Sequence, residues 1–162
     1  MDTRYYLNHF NKAAMLIDEH LFQHEEIKVD IWLNSVVLKI QRPEWLGNPP
    51  AQAFEQSVFF SVWVSNESLK HDRILYNIHA LDLRQLKGYR IKSRDFAEAF
   101  RKAFKPYESQ WPNVSTAFGP LTLMQGQVAY DDEKPEIIST LAANFAGIQF
   151  IIDDLFHQFK KA

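Results

Sequence analysis

PEIISTLAANFAGIQFIIDDLFHQF, residues 135–159, is the stretch from which the fold can be worked out. Its large apolar residues recur at alternating spacings of three and four, the pattern of one apolar stripe along a helix. Three carboxylates precede Pro135, and carboxylates and proline both suit the start of a helix. The pattern predicts a long C-terminal helix over Pro135–Phe159. Its stripe consists of Ile138, Leu141, Phe145, Ile148, Ile152, Leu155 and Phe159.

A second face of this predicted helix carries mostly small residues. At about 100° per residue, Ala143, Ala146, Gly147 and Phe150 lie away from the main stripe. Small side chains let another helix approach closely, whereas a solvent-facing helix would gain from charge there. We therefore expect the helix to be sandwiched between the sheet and either helix 1 or a symmetry-related copy, and these four residues are candidates for that interface.

Helix 1 is predicted over about Thr3–His24 from the same three-four spacing. His20 and His24 would then lie one turn apart near its end, where two imidazoles can chelate one divalent ion. However, Leu21 stands where a zinc hydrolase has its glutamate. We favour exposed histidines at a helix C-terminus, keep the pair as a weak metal candidate, and expect no cofactor.

The stretch 27–40, IKVDIWLNSVVLKI, changes phase in its middle. Apolar residues occupy odd positions before residue 34 and even positions after it, so one continuous strand would split them between two faces. A two-residue turn at Asn34-Ser35 would set Leu33 opposite Val36 and bring the apolar residues to one face. A bulge at the same place is the alternative, and we favour the hairpin.

Strand and helix patterns continue along the chain and complete the predicted fold. They indicate a strand over Ser57–Ser65, a partner over Arg73–Ala80, a short helix over Ser93–Phe104 and one or two strands within Leu121–Tyr130. Together they predict a single α+β domain over residues 1–162. We expect an antiparallel sheet of about five to six strands built from hairpins, with three helices, the N- and C-terminal ones packed on one face. The order helix, hairpin, hairpin, helix, hairpin, helix is similar to the layout of small bacterial secretion chaperones, a likeness of topology without a shared motif.

Three aromatic residues fall on the sheet face opposite the main apolar face. They are Trp32, Phe59 and Trp63. Such a face can form a binding surface or be covered by another helix or a second subunit. We favour covering, and take Trp32 and Trp63 as interface candidates.

The stretch 84–105 is strongly basic. It contains eight basic residues against Asp95 and Glu98, a net charge of +6 in a chain whose overall charge is −2. Such a stretch can bind a phosphate or a nucleic-acid backbone, or it can be a solvated helix face, and we favour the solvated face. The anion-binding candidates are Arg84, Lys87, Arg90, Lys92, Arg94 and Arg101.

Composition limits the chemistry that this chain can perform. The absence of cysteine excludes disulfides, thiolate nucleophiles and thiolate metal sites. No serine has a glycine-framed elbow, and the 5 glycines are too scattered for a phosphate-cradling loop. No apolar run is long enough for a membrane span, and no export signal is readable, so we expect a cytoplasmic protein.

These observations favour a non-enzymatic binding or protein-protein interaction module, a small adaptor or chaperone-like protein that forms a homodimer. A nucleic-acid or phosphate-ligand binder that uses residues 84–105 is the alternative. A metal-dependent hydrolase or nuclease is a further one.

Overall fold

Side chains alternate between the two faces of the sheet along each strand, and this alternation decides which face the helices cover. The computed structural model, which describes residues 1–162, contains one five-stranded antiparallel sheet in which each strand pairs with its neighbour in sequence. The strands are β1 (Glu26–Trp32), β2 (Ser35–Gln41), β3 (Ser57–Val64), β4 (Arg73–Leu81) and β5 (Thr122–Ala129). The helices are α1 (Thr3–Met15), α2 (Asn66–Lys70), α3 (Ser93–Phe104), α4 (Glu136–Ala146) and α5 (Gln149–Gln158).

The predicted α+β class and antiparallel sheet are confirmed. The terminal helices pack on one face, since α1 contacts β1 and β2 while α4 contacts β3. Phe60 of β3 stacks on Phe145 of α4, with ring centroids 4.6 Å apart and an interplanar angle of 7°. Trp111 contacts both Phe60 and Tyr76, so β3, β4 and α4 share one aromatic core.

The first hairpin has the predicted faces but a different turn. Trp32 pairs with Ser35 and Ile31 with Val36, which places the turn at Leu33-Asn34, one residue earlier than predicted. Both turn residues are left-handed, with φ of 51° and 62°, as a two-residue hairpin turn of this kind requires. Each residue of β1 pairs with a residue of β2 that lies two positions earlier than predicted. Side chains alternate with a period of two, so this shift leaves the same side chains on the same face.

Helix 1 is shorter than predicted. It ends at Met15 and not at His24, so His20 and His24 lie exposed in a turn segment. The Asp18 carboxylate accepts the backbone N–H of His20 at 2.9 Å, a local bond that competes with helix continuation. The helical spacing on which the metal candidate rested is therefore absent.

The predicted C-terminal helix is broken into α4 and α5. Gly147 and Ile148 separate them, and glycine is among the least favourable residues for a helix interior. Asp153 of α5 accepts bonds from Arg42 at 2.7 Å and from the Trp45 indole at 2.8 Å. Because the helix is broken, α5 can take the direction that the contacts of Asp153 require, while the apolar stripe stays in the core. The helix count therefore exceeds the predicted three, with the one-turn α2 between β3 and β4 as a further addition.

A glycine on β5 makes room for a core tyrosine. A Cβ atom at Gly126 would lie 2.2 Å from the Tyr76 hydroxyl oxygen and 2.9 Å from the Pro112 carbonyl oxygen. The Tyr76 hydroxyl donates to that carbonyl at 2.6 Å, so it has little freedom to move away.

We predict that Gly126→Ala lowers the free energy of unfolding by about 1–3 kcal/mol, because the methyl group overpacks this contact. Urea denaturation of the full chain measures it. Gly119→Ala is the matched control, since no atom lies within 4 Å of its Cβ position, and should change stability by less than about 0.5 kcal/mol. Equal losses in the two variants would contradict the close approach.

Candidate functional site

The sheet face opposite the helices is covered by its own side chains and by no helix. Val37 and Phe59 are buried there, although neither belongs to the helix-packed core. Trp32 lies across this face with its ring centroid 5.8 Å from Phe59 and 5.4 Å from His79. The helix that we considered as a cover is therefore absent, and covering by a second subunit stays a prediction.

A lysine ammonium lies beneath Trp32. Lys39 is only 3% exposed, and its Nζ is 3.8 Å from the Trp32 ring centroid and 5.3 Å from that of Phe59. It forms no ion pair, because the carboxylate of Asp30 pairs with Lys28 at 3.2 Å. Desolvation lowers the pKa of Lys39, an effect that the nearby Asp30 opposes. The ammonium is thus stabilised largely by two aromatic faces.

A string of polar side chains crosses β3, β4 and β5 on the same face. The Ser61 hydroxyl donates to the Asn77 amide oxygen, and the Asn77 amide nitrogen lies 3.0 Å from Nε2 of His79 and 3.5 Å from Oε1 of Gln125. An amide nitrogen only donates, so Nε2 of His79 accepts and its proton is assigned to Nδ1. Burial, with the Lys39 charge, lowers the pKa of His79 to about 4 and keeps the ring neutral.

These groups line a cleft of about 200 Å³. Its apolar residues are Trp32, Leu33, Val37 and Trp63, and its polar residues are Ser35, Ser61, Asn77, His79, Thr122 and Gln125. No carboxylate and no charged side chain lines it. The cleft therefore offers aromatic contact area together with uncharged hydrogen-bonding groups.

The cleft lacks the contacts that nucleophilic catalysis needs. The Ser61 hydroxyl is committed to Asn77, so the string contains no serine-to-histidine hydrogen bond. A metal site is also absent, since no group of three or more histidine, aspartate or glutamate residues could hold an ion.

Five of the six anion-binding candidates project into solvent. Arg84, Lys87, Arg90, Lys92 and Arg94 are exposed, and none forms an ion pair.

Arg101, the sixth candidate, is committed within the chain. Its guanidinium donates to the carbonyls of Phe118, Gly119, Thr122 and Leu123, at 2.9–3.2 Å. It therefore ties α3 to the start of β5 and is not free to bind an anion.

The small-residue face of the C-terminal region is partly open. Ala143 and Gly147 are exposed, Ala146 is half-buried, and Phe150 is 43% exposed beside Tyr107, with ring centroids 5.8 Å apart. Helix α1 packs on α4 but leaves these positions accessible. The other two interface candidates, Trp32 and Trp63, line the cleft.

Sequence reasoning missed the polar half of the site. Lys39, Ser61, Asn77 and His79 alternate with the apolar residues of their strands, so their face could have been read from the sequence. Their contacts could not, because Ser61 meets Asn77 only through the β3–β4 register. Gln125 meets Asn77 only through the β4–β5 register, and the position of Thr122 opposite His79 depends in addition on an irregularity in that pairing.

No protein-family model, curated protein or solved structure matches this chain. The likeness of element order to secretion chaperones thus gains no support from a structural relative. None of the helices has the length and apolar character to cross a membrane.

We predict that the stability of the protein falls as the pH drops from 6.5 to 4, in a way that His79→Gln removes. The folded pKa of about 4 lies below the ordinary 6.5, so the unfolded chain takes up the proton first. The His79 contribution is thus fully present above pH 6.5 and is lost as the pH approaches 4. The stability of the wild type relative to the variant should fall by about 3 kcal/mol between pH 7 and pH 4. Urea denaturation at each pH measures it, and parallel curves for the two proteins would contradict the buried neutral ring.

Proposed function

We propose that this chain is a non-enzymatic protein-binding module whose cleft on the uncovered sheet face receives one side chain of a partner. The observation that carries the proposal is the combination of Trp32 and Trp63 with the neutral Ser61–Asn77–His79 string in one concavity. Aromatic residues that contact a partner contribute most of the energy in many protein interfaces.

The size of the cleft favours a side chain over a cofactor. Sites for small molecules usually enclose roughly 300–1,000 Å³, and this cleft encloses about 200 Å³. A pocket of this size suits one anchor residue that a partner inserts while the rest of the partner lies on the surrounding sheet.

The lining of the cleft favours tyrosine as that anchor. Trp32, Val37 and Trp63 offer apolar contact, while Nδ1 of His79 and the amide nitrogen of Gln125 are donors without a hydrogen-bond partner in the chain. A purely apolar anchor would leave these two donors without partners, and a charged anchor would meet no opposite charge in the lining. A tyrosine has an aromatic ring and a single polar tip, which matches both parts.

We predict that p-cresol, the side-chain analogue of tyrosine, binds the cleft with a Kd on the order of 1 mM, as expected for a fragment of this size. Amide and indole NMR shifts of the full chain measure binding. They should move at Trp63, Asn77 and His79. Toluene, which lacks the hydroxyl, should bind about tenfold more weakly, because it offers no partner to Nδ1 of His79 or to the Gln125 amide nitrogen.

Trp63→Ala should abolish these shifts, while Phe118→Ala should leave them unchanged. Phe118 is a matched control because its ring is 39% exposed and does not line the cleft. No shift at 20-fold the estimated Kd, or shifts confined to the helical side of the sheet, would contradict the proposal.

The five exposed, unpaired cations of residues 84–94 favour a second candidate function, the binding of a polyanion such as a nucleic-acid backbone. Positive groups that lack internal partners keep their full charge available to phosphates. This function would use a surface separate from the cleft.

For this second function we predict retention of the wild-type chain on heparin, with elution as salt is raised. Arg90→Glu with Lys92→Glu should remove the retention, because it changes the local charge by four units. Arg4→Glu with Lys12→Glu is a control of equal charge change, since both are exposed cations of α1 that form no ion pair. Flow-through of the wild type at low salt would exclude polyanion binding.

A further inference from the structure

The two edges of the sheet differ in how far their outward backbone groups are hydrogen-bonded. The outer edge of β5 is partly covered, since Ser115 and Gln125 exchange two backbone hydrogen bonds of 2.8 and 3.0 Å. The Asn113 side chain also donates to the Gln127 carbonyl at 3.0 Å. No segment of the chain pairs with the outer edge of β1. An uncovered edge is a template for another strand.

The backbone groups that point outward from β1 can be identified. The two-residue turn makes Trp32 and Ser35 a hydrogen-bonded pair, and such pairs alternate along an antiparallel ladder. The N–H and C=O groups of Ile27, Val29 and Ile31 therefore face away from β2. In agreement, the Ile31 N–H donates to the carboxylate of Asp30 at 2.8 Å and to no atom of β2.

Apolar side chains accompany this free edge. Ile27 is 38% exposed and Ile31 is 48% exposed, although both point to the helical face of the sheet. Six of the eleven exposed large hydrophobic residues of the chain come from residues 15–33, which end at the β1–β2 turn. β1 also carries Glu26, Lys28 and Asp30 on its other face, and charge can keep an edge strand single. Here the charges alternate in sign, so they suit pairing with a second β1, to which Ile27 and Ile31 offer apolar surface.

We propose that two copies of this chain pair antiparallel through β1, with Val29 on the two-fold axis. In this register Lys28 of each copy lies opposite Asp30 of the other, and Ile27 lies opposite Ile31. The outward N–H and C=O groups of Ile27, Val29 and Ile31 then bond across the axis, where the Ile31 N–H exchanges the Asp30 carboxylate for the Ile27 carbonyl of the other copy. The two five-stranded sheets become one of about ten strands, with both clefts on the same face.

The charges on β1 select this register over its neighbours. A slip that moves the axis to residue 28 sets Lys28 against its own copy, and a slip to residue 30 sets Asp30 against its own copy. Like charges directly opposite one another destabilise a strand pair, while opposite charges stabilise it. Within one chain Lys28 lies opposite Lys39 and forms an ion pair with Asp30 of its own strand at 3.2 Å. In the dimer each Lys28 also lies opposite Asp30 of the other copy, which adds a second opposite charge beside it.

The oligomeric state of the full chain in solution tests the proposal, which is independent of what the cleft binds. Sedimentation velocity should give about twice the chain mass of 19.0 kDa for the wild type. Asp30→Lys and Lys28→Asp should each raise the dimer dissociation constant about tenfold or more, since each places like charges opposite one another. An equimolar mixture of the two variants should form a heterodimer, because it restores both opposite-charge pairs. Glu98→Lys, an exposed charge reversal on α3, should leave the dimer intact.

Formation of the heterodimer in the mixture requires both variants to be folded, and far-UV circular dichroism of each variant checks this. A monomeric wild type at 100 μM, roughly a thousandfold above a tight dissociation constant, would overturn the proposal. A wild-type dimer that neither variant weakens would place the interface elsewhere and overturn it as well.

Discussion

The stack of Phe60 on Phe145 is the contact on which the rest of the structure depends. It brings α4 against the middle of β3, and Trp111 extends the same cluster to Tyr76 on β4. Because successive side chains on a strand point to opposite faces, an inward Phe60 sends Phe59 and Ser61 to the other face. The orientation of Phe60 toward α4 thus determines both where the helices pack and which side chains face the cleft.

The face without helices holds several buried polar groups close together. It holds a nearly buried lysine, a buried asparagine and a buried serine, and each of these groups costs free energy unless it has a partner. The aromatic faces of Trp32 and Phe59 serve Lys39, and the register of β3 with β4 brings Ser61 to Asn77. His79 meets the same constraint by remaining neutral, as its lowered pKa indicates. The polar string is consequently as dependent on correct strand pairing as the core is.

Local patterns predicted the parts of this fold that depend on periodicity. The strand faces, α3 and the antiparallel sheet follow from alternation and helical spacing, which packing against one core preserves. The ends of α1 and the break at Gly147 depend on competing local bonds and on the anchor of Asp153, which periodicity does not register. The turn of the first hairpin lies one residue earlier than predicted, because the apolar pattern determines which face of the sheet each side chain occupies but not the position of the turn. For the same reason the aromatic members of the cleft were predictable, and the contacts among its polar members were not.

Leu33 lies in the β1–β2 turn and also lines the cleft. The backbone preference of the turn does not by itself explain a leucine at this position. It adopts a left-handed conformation, which costs a non-glycine residue about 1–2 kcal/mol, and its side chain is 80% exposed. A hairpin turn of this kind is most readily made by Asn-Gly, which avoids both costs. Leu33 buries no core surface, yet it lines the cleft beside Trp32. The proposed contact between a partner and the cleft would account for strain and apolar exposure that coincide at its rim.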